Sequence, residues 1–284
     1  LTRIDNLTSI ETMKIKKTAT TLTAVLGLAL CTSAHAATLF ADTFDRANGD
    51  DLNASTTGKS GSLGALDWLE TSGPTSGTLG AGGSIVSNQL QLGEEGAGGG
   101  WALAYLDHNF IDTSITTNRN FSVSVDIVNS DTGGATRYAG IVVGGPASRY
   151  SGWSSNNPAT ENVDFYIGYD GSGTEQFRIW ENGVLTTTTN LSFVEPDTLR
   201  VDFTNVTNFT LGTTINYEVF NNGSSVATGD FTWSGTNQNY LGLFTNWTAG
   251  GAELDNFSVT TVPEPGTTAL VGLCGLALIL RRRK

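Results

Sequence analysis

The sequence predicts an all-β fold, a two-sheet antiparallel jelly-roll sandwich. Short segments alternate apolar and polar residues with a period of two, tight-turn dipeptides separate them, and no segment between the two ends of the chain keeps a capped helical period. The alternation is clearest in Phe121–Ile127 (FSVSVDI), Val163–Tyr169 (VDFYIGY), Leu199–Phe203 (LRVDF) and Ile215–Val219 (INYEV), and looser in Leu254–Val259 (LDNFSV). It sends one set of side chains into a core and the other towards water, as in an antiparallel sheet with one wet face. Asn182-Gly183 and Asn222-Gly223 supply the positive-φ residues of tight hairpins, and Asp170-Gly171 opens a slightly longer turn. With 35 Gly and only 6 Pro in 284 residues, the composition suits many short strands joined by turns. The Gly-rich run Gly93–Gly100 is expected to be a loop, because no strand-to-helix transition follows it to make a phosphate cradle.

The two ends read differently. Residues 1–12 precede the only Met, Met13, and read as an upstream start-site overcall. Residues 13–36 have the order of a signal peptide, which forms a short helix: Lys14, Lys16 and Lys17, then the apolar stretch Leu22–Leu30, then Ala34-His35-Ala36. Signal peptidase needs small side chains at the two positions held by Ala34 and Ala36, so cleavage is expected after Ala36. Cys31 follows Leu30 rather than a small residue, which favours release over lipidation. The sandwich is assigned to residues 37–261 and a separate tail to residues 262–284.

Both cysteines, Cys31 and Cys274, lie in the end segments, so residues 37–265 have no disulfide framework and no thiolate metal site. About 230 residues bury an adequate core without either. Residues 37–265 carry 7 basic and 25 acidic side chains, a net charge of −18. That surface repels phosphate backbones and anionic lipid, which excludes nucleic acid as a partner. It suits solubility outside the cell and leaves carboxylates available for Ca²⁺.

The tail opens with the rigid breaker Val262–Gly266 (VPEPG). The apolar run Ala269–Leu280 follows, and Arg281, Arg282, Arg283 and Lys284 close it. Its 12 residues fall short of the about 20 that a spanning helix wants, so the short hydrophobic helix serves as a transient membrane anchor. The basic cluster stays cytoplasmic by the positive-inside rule, leaving the β domain outside. This order of features resembles the PEP-CTERM sorting signal of Gram-negative bacteria. The resemblance implies recognition of Pro263, Glu264 and Pro265 by an exosortase-type membrane enzyme, with delivery to the cell surface or an extracellular polysaccharide matrix.

The central domain resembles the concanavalin A-like (laminin-G/lectin/glucanase) jelly rolls in three stretches. Leu39–Asp45 (LFADTFD) matches a first strand, Gln176–Val184 (QFRIWENGV) a strand–turn–strand unit, and Ala252–Val259 (AELDNFSV) a closing strand. That family holds sugar-binding modules, glycosidases and adhesive domains, so the fold alone does not fix function. Its endoglucanases carry an E-x-D-x-x-E strand. The nearest matches here, Glu195–Arg200 (EPDTLR) and Glu253–Ser258 (ELDNFS), both lack the final Glu, and Pro196 disfavours a central strand. Beyond the signal peptide the only histidine is His108, in a polar, turn-like setting, too little for a catalytic triad or a multi-His zinc centre. No catalytic constellation is found. The alternatives to a binding module are a divergent polysaccharide-degrading enzyme and a purely structural matrix protein.

Two binding sites are expected. If the strands at 163–169 and 175–181 pair through the Asp170-Gly171 turn in a register that preserves parity, Asp164, Tyr166, Arg178 and Trp180 share one exposed face; the alternative is that Tyr166 and Trp180 pack under a loop or in a second core layer. Aromatic faces for stacking beside groups that bond hydroxyls suit an extracellular polysaccharide. The second expectation follows from the jelly-roll resemblance, which implies a structural Ca²⁺ between the first and last strands. Asp42 and Asp255 would ligate it, with backbone carbonyls completing the shell.

Overall fold

Sixteen strands form among the residues that the computed structural model describes: 36–262, apart from 75–82, 94–97, 111–119, 130–136, 146–162, 171, 182, 193–194, 207–208, 210, 234–239 and 250. In chain order they are β1 (Thr38–Asp42), β2 (Lys59–Ser60), β3 (Trp68–Pro74), β4 (Gly83–Val86), β5 (Gln89–Leu92), β6 (Gly98–Leu106), β7 (Phe121–Asn129) and β8 (Arg137–Gly145). There follow β9 (Val163–Tyr169), β10 (Glu175–Glu181), β11 (Val184–Asn190), β12 (Asp197–Thr204), β13 (Thr214–Asn221), β14 (Ser224–Thr232), β15 (Tyr240–Ala249) and β16 (Ala252–Thr261). Both expected flanking helices, Ala34, the sorting motif and the basic cluster lie outside the described residues.

The strands build two antiparallel sheets, the predicted sandwich. One has nine strands ordered β14-β13-β12-β7-β16-β1-β2, with β5 also on β16 and β4 on β5; the other has seven, ordered β11-β10-β9-β8-β15-β6-β3. All five alternating segments are strands. Asn222 and Gly223 take φ of 48° and 77° in the β13–β14 hairpin, as its Asn-Gly dipeptide predicted, and Gly183 takes 76° between β10 and β11. Asp170 braces the β9–β10 turn, its Oδ1 accepting from the Ser172 and Thr174 N–H groups at 2.9 Å each. The first and last strands are neighbours, with Phe40 opposite Val259 and Asp42 opposite Phe257.

Between the sheets the inward residues form one continuous core. Phe121 stacks on Phe203 at 4.6 Å, Phe165 meets Phe203 at 5.9 Å and Tyr217 at 5.0 Å, and Trp68 meets Phe257 at 5.3 Å. Each fully buried large apolar side chain of this kind contributes about 1.5–3 kcal/mol of transfer free energy.

Two features depart from the sequence reading. The end of the Gly-rich run is strand: Gly98–Gly100 open β6, where β15 pairs along one side and β3 joins at Gly100 on the other. Ladder bonds from two neighbours outweigh the low strand preference of glycine. The outer face of the seven-stranded sheet is also not a simple wet face. It carries a second buried cluster of Leu103, Tyr105, Tyr138, Val142, Tyr166 and Phe244. Gly140 lies in the same region because a Cβ there would sit 1.9 Å from the Phe165 carbonyl oxygen.

Candidate functional site

Strand β10 pairs with β9 so that Arg178 lies opposite Tyr166 and Trp180 opposite Asp164. The four expected sugar-contacting residues therefore do share one face. Their exposure is unequal: Asp164 is 1% and Tyr166 3% exposed, while Arg178 and Trp180 are half-buried. The expected open patch is thus corrected to its β10 half. Strand β9 is internal and buried throughout, and the Tyr166 ring packs against Phe244 at 4.8 Å. The near-continuous apolar runs of β6, β8 and β15 carried the signal for this second layer, because strands covered on both faces lose their alternation.

Around Arg178 the polar groups are organised. Its Nε and Nη2 donate to Gln176 Oε1 at 3.1 and 2.8 Å, the Tyr138 hydroxyl donates to the same oxygen at 3.3 Å, and the guanidinium lies 4.4 Å from the Tyr138 ring centre. Burial pushes the Tyr138 phenol up to about 12, against the pull of the Arg178 charge. Trp180 rests on the second apolar cluster, two residues from Arg178 on the same face. The result is a rigid row of Gln176, Arg178 and Trp180 with partial access to solvent.

Asp42 is fully buried and its carboxylate is fully engaged. Oδ1 accepts from Arg46 Nη1 at 2.7 Å and from the Phe44 N–H at 2.9 Å; Oδ2 accepts from Arg46 Nη2 at 3.0 Å and from Trp68 Nε1 at 2.9 Å. Phe44 takes a left-handed φ of 53°, which folds the chain back so that Arg46 meets Asp42 four residues earlier. Sequence reading missed Arg46, whose one signal was its place just after the first strand.

Asp255 sits half-buried where the β16 register slips, and its Oδ1 accepts from the Asn256 N–H at 2.8 Å. These residues do not fit the implied Ca²⁺. Both oxygens of Asp42 are spent, with a positive guanidinium 2.7 Å away, and among the described residues no three His, Cys, Asp or Glu are gathered to hold a metal ion.

Burial holds the Asp255 carboxyl above its ordinary value; the Asn256 N–H opposes the shift, and the charges of Asp45, Asp126 and Asp42 add to it. A raised carboxyl costs the fold nothing below its unfolded pKa. The cost builds as pH rises from the unfolded value through the raised one and is complete above it. Asp255→Asn keeps an acceptor for the Asn256 N–H and removes that cost. Its melting temperature is expected to exceed wild type at pH 7 and to match it below about pH 3; an equal gain at both pH values would refute the cause.

Of the other sequence candidates, Asp197, in the partial glucanase match, begins β12 directly after Pro196 and is 2% exposed, with Oδ1 bonded to the Asn222 amide. His108 packs edge-on against Phe110 at 4.8 Å.

Residues 261–284 match the PEP-CTERM protein-sorting motif. The chain thus carries a sorting signal that marks it for export and for the cell surface or extracellular space. No curated protein matches the chain. Solved structures with a similar chain path include a legume lectin-like domain from Entamoeba histolytica, at 9% identity and TM-score 0.44 over 69% of this chain and 90% of that one. Another is the VIP36 exoplasmic/lumenal domain in its Ca²⁺/Man2-bound form, at 8% identity and TM-score 0.47 over 73% and 86%. The Emp46p carbohydrate recognition domain in its potassium-bound form matches at 8% identity and TM-score 0.46 over 68% and 87%.

Proposed function

We propose that this chain is an exosortase-processed, non-catalytic surface protein whose sandwich contacts extracellular polysaccharide through the β10 row of Gln176, Arg178 and Trp180. In this reading signal peptidase cuts after Ala36, residues 37–261 form the working domain, and residues 262–284 hold the chain in the membrane only until processing. The observation that carries the sugar contact is the alignment of a half-exposed indole with a guanidinium and an amide fixed by hydrogen bonds. An indole face stacks on a pyranose ring while the polar neighbours bond its hydroxyls, and the fixed side chains lose little entropy on binding. The partial glucanase matches lack the final Glu of the endoglucanase strand, which supports a binding role.

The test is a polysaccharide panel with wild type and Trp180→Ala, each checked for an intact melting transition. Loss of stacking is expected to weaken binding by roughly tenfold, about 1.4 kcal/mol. Equal affinity of the two proteins for a ligand that wild type binds removes this row from the site. A panel with no ligand at all supports a purely structural matrix role, and release of reducing ends supports the polysaccharide-degrading enzyme.

A further inference from the structure

We infer that Arg46 is a built-in cation: its guanidinium fills an oxygen cage in the nine-stranded half of the sandwich, making the fold independent of divalent metal, and its removal creates a Ca²⁺ site. The inference stands apart from the sugar-binding proposal. The cage has four oxygens. Asp42 Oδ1 and the Thr57 carbonyl accept from Nη1 at 2.7 and 3.2 Å, and Asp42 Oδ2 and the Leu52 carbonyl accept from Nη2 at 3.0 and 3.2 Å. A bidentate carboxylate with backbone carbonyls is the donor chemistry of a hard divalent cation, which takes six to eight oxygens in all.

The cage does structural work of the kind a bound ion would do. Through it Asp42, the last residue of β1, is tied to the 52–57 segment that leads into β2. Arg46 is 6% exposed and its ring neighbour Phe44 is fully buried, so the cation is held away from bulk water. The interaction is therefore screened little by salt. No chelator removes a guanidinium. A covalently attached cation keeps the first strand closed whatever the free metal concentration.

Removing the side chain leaves the buried Asp42 carboxylate and two carbonyls facing a common space, with water and Ca²⁺ as the available occupants. Asp255 lies within electrostatic range of Asp42 and adds to the pull on a cation, while Lys59, opposite Asp42 on β2, opposes it.

The experiment compares thermal unfolding of the full exported protein with its Arg46→Ala and Arg46→Lys variants, each in excess EDTA and in Ca²⁺ at about 10 mM, above the about 10⁻⁴–10⁻³ M dissociation constants of extracellular Ca²⁺ modules. Wild type is expected to melt at the same temperature in both. Arg46→Ala is expected to melt lower in EDTA and to gain stability with each tenfold rise in Ca²⁺, with one ion bound by calorimetry. Arg46→Lys keeps a positive charge and should lie between the two in EDTA, with no response to Ca²⁺. A fall in the wild-type transition on adding EDTA overturns the independence from metal. An Arg46→Ala protein that ignores Ca²⁺ overturns the cage. If Arg46→Ala does not fold in EDTA, refolding in Ca²⁺ decides: recovery supports the cage, and failure there overturns it.

Discussion

Trp68→Ala is expected to destabilise the sandwich by about 3–5 kcal/mol from the lost ring, with about 1.5–3 kcal/mol more from the hydrogen bond to a charged acceptor. The residue lies on β3 of the seven-stranded sheet, yet its contacts reach across to the other sheet. Its ring meets Phe40 at 6.0 Å, Phe44 at 5.9 Å and Phe257 at 5.3 Å, and its indole N–H donates to Asp42 Oδ2 at 2.9 Å. One side chain thus joins β1, β3, β16 and the Asp42–Arg46 pair. Denaturant unfolding measures the loss, which corresponds to a melting point lower by roughly 10–30 °C for a domain of this size. Trp68→Phe separates the two parts, since it keeps most of the stacking and removes only the N–H donor. A cost below about 1 kcal/mol for the alanine variant would show that this junction is not where the sheets are joined.

Replacing Pro263, Glu264 and Pro265 together by Ala is expected to have the largest effect on where the protein goes. The apolar run behind them has 12 residues against the about 20 of a stable span, so the tail is suited to a brief stay in the membrane that ends when the chain is cut. Without the recognition residues the cut does not occur. The full-length chain, still bearing Arg281–Lys284, should then collect in the membrane fraction and the surface pool should vanish. Mass spectrometry of the C-terminal peptide in both fractions checks it, and unchanged surface display of the triple variant would remove Pro263–Pro265 from the sorting step.

Where burial is one-sided the sequence was readable. Strand β12 alternates buried and open residues along its whole length, and its pattern named it a strand. Strand β9 was also named correctly, but the sequence left open whether its outer residues face solvent or a second core layer. A period of two says that Tyr166 and Phe165 face opposite ways, and nothing local says that Phe244, far along the chain, will lie over Tyr166. The pairing of Arg178 with Tyr166 and of Trp180 with Asp164 followed from parity and a short turn, both local properties. The Arg46 cage was not readable for the opposite reason. It depends on a left-handed Phe44, a conformation that a bulky residue adopts only when tertiary packing compels it, and on carbonyls that every residue possesses. The Asp42 carboxylate, to which the resemblance assigned Ca²⁺, meets a counter-charge from its own chain, and nothing local in the sequence signals that partner.

Among the described residues the last strand is also an inner strand: β16 lies between β7 and β1, and β1 has no other long partner. Without residues 252–261 the opening strand has only the two-residue β2 to pair with, and the nine-stranded sheet is left in three parts. Closure of this sheet therefore waits for the C-terminal end of the domain, which supplies its central bridging strand.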